Sequence, residues 1–347
     1  MWHRTLFWGA VSGKKDSMVS SRDVARLAKV SQSTVSRAYR EDVYIDPNTR
    51  KRVFDAARQL GYYPNLSARS LRNQQSQIIG LMLSDPNNAF FASLTQHIER
   101  CVTQRGYRLL LTYNEENAEK ERFCTESLIS SRAEGILAMP VSKQNEDMYQ
   151  IMRNNGIGTV QLIRQTYDNL NTVMVNDELG AYIATKYLLE QGHRRIILTE
   201  YSFNQELPAK ILGYRRACEE FGIDPEPGIL NLPFTMGLDG FIAGAIARYR
   251  ATAIISANLP ITLATLKACE SCGLKIPEDL SIVAYDDSEW LEFLKITTIT
   301  HPMQQIGDSM VDVLFRDIEA FRKGEQPEPE TVSIQPYLLL RQSVKII

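Results

Sequence analysis

Apolar residues fall at helical spacing three times between Ser21 and Gly61. Val24, Leu27 and Ala28 mark one face, Lys29-Val30-Ser31 interrupts it, and Val35 and Ala38 mark a second helix with Ser31 as its N-cap. Asp46-Pro47 then supplies a cap followed by proline at the first helical position. Val53, Ala56, Ala57 and Leu60 form the inner face of a third helix that ends at Gly61. Three short helices with a tight first turn predict a helix-turn-helix, in which the second helix enters the major groove of DNA. Gln32, Ser33, Thr34 and Arg37, followed by Arg40 and Tyr44, are therefore candidate DNA contacts. Glutamine can bond adenine bidentately and arginine guanine, whereas serine is permissive. The pattern alone also admits a plain three-helix bundle whose basic residues form a solvated face.

After Ser76 the rhythm changes. Short apolar runs at 78–83, 107–112, 135–139, 158–163, 196–199, 253–256 and 281–285 alternate with helical patterns, among them 91–104 and one ending at Ser131. Alternation of this kind predicts a doubly wound parallel sheet that binds ligands at the carboxyl ends of its strands.

Charge sharpens the division. The net charge of the 347 residues is −2, but residues 20–76 hold eleven Lys or Arg against five acids, and everything after them is acidic on balance. A basic module joined to a larger acidic one suits a polyanion at one end only. No apolar run reaches the roughly 20 residues of a membrane span, and the N-terminus lacks the layout of a signal peptide, so a cytoplasmic location without membrane contact is expected. Five scattered cysteines suit reduced thiols. Cys269 and Cys272 form a lone C-x-x-C without a second pair or histidine at zinc spacing, so neither a metal nor a cofactor is expected. The chain has no phosphate-cradling glycine loop and no G-x-S-x-G elbow, so no catalytic residue is nominated and an enzyme reading has little support. Residues 1–19 lack periodicity and read as a disordered extension, with Met18 an alternative first residue.

The segments DVARLAKVSQSTVSRAYR (23–40), TRKRVFDAARQLGYYPN (49–65) and ARSLR (68–72) together resemble the lactose/galactose repressor family of bacterial transcription regulators. The resemblance extends from Ser20 to the C-terminus. It implies a helix-turn-helix at 20–64, a hinge helix and linker at 65–76, and an effector-binding and dimerisation domain at 77–347. That domain would be two-lobed, as in periplasmic sugar-binding proteins, with lobe one at about 77–176 and 303–328 and lobe two at about 177–302 and 329–347. In such a hinge a leucine wedges between base pairs of operator DNA, the place Leu71 takes here, with Asn65, Ala68, Arg69 and Arg72 alongside. The segment is too short to be stably helical alone, so folding on double-stranded DNA would supply the missing stabilisation. Lys29 stands where relatives usually have glycine in the turn, and Arg40 where asparagine is common.

The resemblance also nominates a cleft. Asp85, Asn88, Phe90 and Phe91 follow the first strand, combining polar groups with an aromatic platform as a sugar or nucleobase needs. Asp85 and Asn88 could equally cap the next helix, and the phenylalanines could be core. Lys210 stands before Gly213-Tyr214 where relatives usually place an effector-contacting arginine, while Asn258 and Asp286 close two later strands. Asn258 is followed by Leu259-Pro260 where an aspartate is usual, and Asn176-Asp177 reverses a common order. His193 matches a family stretch between helix and strand and reads as structural. The expected function is a repressor whose operator affinity a small molecule controls, usually a carbohydrate or its phosphate in this family. Homodimers are expected, and no heptad-bearing tail follows to make tetramers. A transport sugar-binding protein is the alternative of similar lobed fold, but it would not need residues 20–76.

Overall fold

The computed structural model describes residues 19–40, 43–63, 75–201, 208–233 and 237–347. The chain divides into two compact units between residues 75 and 76.

Among the described residues the first unit has three helices, α1 (Ser21–Ala28), α2 (Gln32–Ala38) and α3 (Pro47–Leu60). Local chemistry sets each boundary. Ser20 and Asp23 form a reciprocal capping box on α1, and these hydrogen bonds hold the Asp23 carboxyl below its ordinary range. The Ser31 hydroxyl accepts from the Thr34 amide at 3.1 Å, and the Asp46 carboxylate accepts from the Thr49 amide at 2.8 Å. Gly61 ends α3 at φ 64°. Lys29 ends α1 in the same left-handed region, at φ 53° and ψ 50°, where a side chain costs energy that glycine does not. Val24, Val35 and Val53 meet at the centre of a small core in which Ala25, Ala28, Ala38, Ala56 and Ala57 let the helices approach closely.

The second unit carries two six-stranded sheets. Its strands are β1 (Ile78–Leu83), β2 (Arg108–Tyr113), β3 (Gly135–Ala138), β4 (Gly158–Ile163), β5 (Asn171–Val175), β6 (Ile196–Tyr201), β7 (Ile229–Leu232), β8 (Ala253–Ser256), β9 (Ser281–Tyr285), β10 (Thr297–Thr300), β11 (Thr331–Ile334) and β12 (Tyr337–Leu339). Its helices are α4 (Ala89–Gln104), α5 (Ala118–Ser130), α6 (Glu146–Asn154), α7 (Asp177–Glu190), α8 (Ala209–Glu220), α9 (Asp239–Tyr249), α10 (Leu259–Cys272), α11 (Glu289–Phe293) and α12 (Met303–Arg322). The first sheet runs β11-β5-β4-β3-β1-β2 and the second β12-β10-β9-β8-β6-β7; every pairing is parallel except β10 with β12.

The central strands are covered on both faces, which explains why they read as unbroken apolar runs, whereas the edge strands are partly exposed. On β1, Ile79, Leu81 and Leu83 pack with α4 and α12, whereas Met82 packs with Leu128 of α5 and Met152 of α6. On β9, Ile282 and Ala284 face one core while Val283 and Tyr285 face the other.

The chain passes between the sheets three times, after β5, after β10 and after β11. The last crossing corrects the expected lobe boundary. The resemblance implies lobe two for residues 329–347, but β11 joins the first sheet beside β5, with Thr331 opposite Thr172 and Ile334 opposite Val175, and only β12 joins the second. Thr331-Val332-Ser333-Ile334 is short enough to extend either sheet, and only the edge left open by β5 decides its place.

Gly213 is required by close approach. A Cβ on Gly213 would lie 1.9 Å from the Glu178 carbonyl oxygen, so α8 packs on α7 as tightly as it does only because the side chain is absent. That contact sets the place of Lys210, one turn earlier on α8.

Candidate functional site

On α2, Gln32, Ser33 and Arg37 are exposed and Thr34 is half-buried, while Val35 and Ala38 turn inward. The exposed groups are held by weak local bonds. Gln32 Nε2 donates to Ser21 Oγ at 2.8 Å, the Ser31 hydroxyl lies 2.8 Å from those of Ser33 and Thr34, and Arg37 Nη2 donates to the Tyr44 carbonyl at 3.4 Å. Exchanging such exposed hydrogen bonds for base edges costs little, since each is worth about 1 kcal/mol net. Arg50 donates to the Arg40 and Val43 carbonyls at 2.9 and 3.4 Å and so anchors the chain beyond α2; Tyr44 stands largely exposed there. Ser36 shares the exposed face one turn after Gln32, a position the i, i+4 spacing offered and sequence reasoning passed over. Asn65, Ala68, Arg69, Leu71 and Arg72 lie outside the described residues.

The second unit has a cleft of about 700 Å³, within the size range of small-molecule sites. All seven residues nominated from sequence, Asp85, Asn88, Phe90, Phe91, Lys210, Asn258 and Asp286, line it. Most of the wall follows the carboxyl ends of strands: Asp85 after β1, Asn258 after β8, Asp286 after β9 and His301 after β10. Two of these residues are also caps. Asn88 Oδ1 accepts from the Phe90 amide at 3.0 Å and Asn258 Oδ1 from the Ile261 amide at 2.9 Å. Asp85 closes a turn by accepting from the Asn87 amide at 2.8 Å. Phe90 and Phe91 are largely buried and meet edge to face at 5.5 Å, so they serve as core and as cleft wall at once.

Several cleft residues that sequence reasoning missed are ionic partners of the ones it found. Lys210 Nζ donates to Asp177 at 2.9 Å, lies 3.8 Å from Glu200 and sits 4.8 Å above the Tyr285 ring. Burial opposes its charge, yet the two carboxylates outweigh burial and hold the ammonium above its ordinary range. Glu200 is pushed upward by burial, against the pull of Lys210. Arg164 clasps Glu116 through two hydrogen bonds of 3.0 and 2.6 Å. His301 Nε2 lies 3.2 Å from Asp286, while its other ring nitrogen, buried, has no hydrogen-bond partner among the described residues.

Two wall residues have positive φ without being glycine. Asp286 stands at φ 64°, and Ile163, a β-branched residue, at φ 68°, where the Arg164 amide bonds back to the Leu162 carbonyl at 2.7 Å in a strained three-residue turn. Such strain persists only where surrounding structure over-determines it, and it concentrates at ligand sites.

His193, outside the cleft, bonds Thr252 Oγ1 at 2.9 Å and the Lys345 carbonyl at 3.2 Å, tying a helix end to the C-terminal segment. No group of metal-binding side chains occurs among the described residues. No described helix is long and apolar enough to cross a membrane.

A helix-turn-helix unit and a two-lobed ligand cleft on one chain define the class of ligand-responsive, DNA-binding regulators. Residues 21–65 match the bacterial regulatory proteins of the lacI family, and residues 185–344 match the periplasmic binding protein-like domain. The HTH-type transcriptional repressor PurR of Vibrio campbellii is 30% identical over 335 residues, covering 94% of this chain and 99% of the relative. The chain belongs to the lacI family of bacterial regulatory proteins and is a transcription regulator. A transcriptional regulator CelR–cellobiose complex matches at TM-score 0.67 and 25% identity, covering 94% and 99% of the two chains. The lac repressor dimer bound to operator and the anti-inducer ONPF matches at TM-score 0.77 and 21% identity, covering 95% and 100%; that likeness shows the fold.

Proposed function

We propose that this regulator represses transcription as a cytoplasmic homodimer bound to a near-palindromic operator, and that a small carbohydrate-class effector in the cleft sets its operator affinity. The observation that carries the reading is the convergence of residues from both lobes on one cleft, Asp85 and Phe91 from the first, Lys210 and Asp286 from the second, in a chain that also bears the exposed α2 face. Effector binding changes the angle between lobes and hence the spacing at which two hinges fold on DNA. The linkage is a coupling free energy of about 1 to 3 kcal/mol and is reciprocal. Gln32, Ser33, Arg37 and their neighbours read the major groove, and Leu71 opens a minor-groove step between Arg69 and Arg72.

The test is selection of bound sequences from random DNA with the purified chain, repeated with Leu71→Ala. A near-palindrome with a flexible central step, lost in the variant, is the expected result. Binding that is salt-sensitive but indifferent to sequence, with and without a panel of sugars, would sink the assignment of residues 20–76.

A further inference from the structure

We propose that the cleft accepts an uncharged polyol, a free sugar carrying neither phosphate nor carboxylate, and that its two cations serve as internal counter-ions and not as anion receptors. The proposal rests on the reading of the cleft as the effector site. Five carboxylates line the cleft against two cations, Arg164 and Lys210, among the described residues. Even with Glu200 protonated in its buried setting, acids outnumber bases by four to two.

Both cations are already engaged. Arg164 has its guanidinium fork closed on Glu116, and the two oxygens a phosphate would offer are those the carboxylate supplies. Lys210 is flanked by Asp177 and Glu200 and backed by the Tyr285 ring. An incoming anion would have to displace these carboxylates or sit beside them in a partly desolvated site, where like charges repel strongly.

The wall is instead rich in acceptors. Asp85, Asp177 and Asp286 line it with carboxylate oxygens that serve as acceptors, and His301 Nε2 lies 3.2 Å from Asp286. Hydroxyl donors from the ligand would meet these oxygens. The donors that remain are uncharged, because Asn88 and Asn258 spend Oδ1 on their helix caps and keep their amide N–H groups for a ring or glycosidic oxygen. Phe90, edge-on to His301 at 5.8 Å, adds the apolar face that a pyranose or furanose ring needs.

The first probe is inorganic phosphate, titrated calorimetrically into the full-length chain with no DNA present, so the outcome does not depend on the regulator reading. Wild type is expected to bind it no more tightly than about 10 mM, and Asp177→Asn/Glu200→Gln to gain at least about tenfold as Lys210 is released. Glu116→Gln, which releases Arg164, gives a second variant should the first not fold, as judged by its melting transition. The second probe is a set of free sugars each paired with its phosphate ester, where every ester should bind at least about 100-fold more weakly than the parent it matches. Submillimolar phosphate binding by wild type that Lys210→Met abolishes, an ester that outcompetes its parent sugar, or folded variants that gain no phosphate affinity would each overturn the proposal. Failure of the regulator reading would show separately, as DNA binding indifferent to sequence with and without sugars.

Discussion

Replacing Gly213 by alanine places a methyl group where α8 meets α7. The added Cβ would lie 1.9 Å from the Glu178 carbonyl oxygen and 2.8 Å from the Tyr182 nitrogen, whereas ordinary contacts begin near 3.4 Å. The shortfall of about 1.5 Å cannot be met by a side-chain rotation, because the opposing atoms are backbone. Helix α8 must withdraw, loosening Ile211, Tyr214, Ala217 and Cys218 from Ala181, Ala184 and Leu188. We expect a loss of about 3 kcal/mol, at the upper end of the usual cost of overpacking. Lys210 rides on the same helix, so its 2.9 Å bond to Asp177 should lengthen and effector affinity fall with stability. Gly244→Ala supplies a control of opposite sign. Gly244 lies inside α9, exposed, with nothing within 4 Å of its added Cβ, and alanine should stabilise the helix by about 0.8 kcal/mol. Urea unfolding of the full-length chain, followed by circular dichroism, gives both numbers. If Gly213→Ala remains within about 0.5 kcal/mol of wild type, the close approach of α7 and α8 does not hold in solution and the account of Lys210 falls with it.

Lys29→Gly should slow amide exchange within residues 21–60, because it removes a side chain from the left-handed region at about 1 to 2 kcal/mol and returns only part of that as glycine entropy; unchanged or faster exchange would contradict the strained turn. His193 gives a pH dependence: burial lowers its folded-state pKa below the ordinary 6.5, so the unfolded chain takes up the proton first and stability falls as pH drops from about 6.5 toward the folded value. The loss between pH 7.5 and 5 should be smaller in His193→Asn, whatever that variant's stability at pH 7.5, and equal losses would show that another group is responsible.

Much of the fold was legible because its signals are local. The caps Ser31 and Asp46-Pro47, the stop at Gly61 and the alternation of apolar runs with helical patterns depend on residues within a few positions of one another, and the strands at 78–83, 158–163, 253–256 and 281–285 stand where the pattern put them. The cleft residues could be found singly for a related reason: each directly follows a strand or opens a helix, and a parallel sheet gathers such positions at one end. What they do there was not legible. Glu116 and Arg164 are 48 residues apart, and Lys210 meets Asp177 across 33 residues only because Gly213 lets two helices close. Asp286 reaches His301 because β9 and β10 lie side by side. The fate of 331–334 was likewise settled by which sheet edge stood open, and a four-residue strand carries no local mark of its neighbour. The sequence by itself determined the elements, the DNA-reading module and the residues at the mouth of each strand. Sheet order and helix approach decided which charges neutralise one another, and therefore what kind of molecule the cleft can admit.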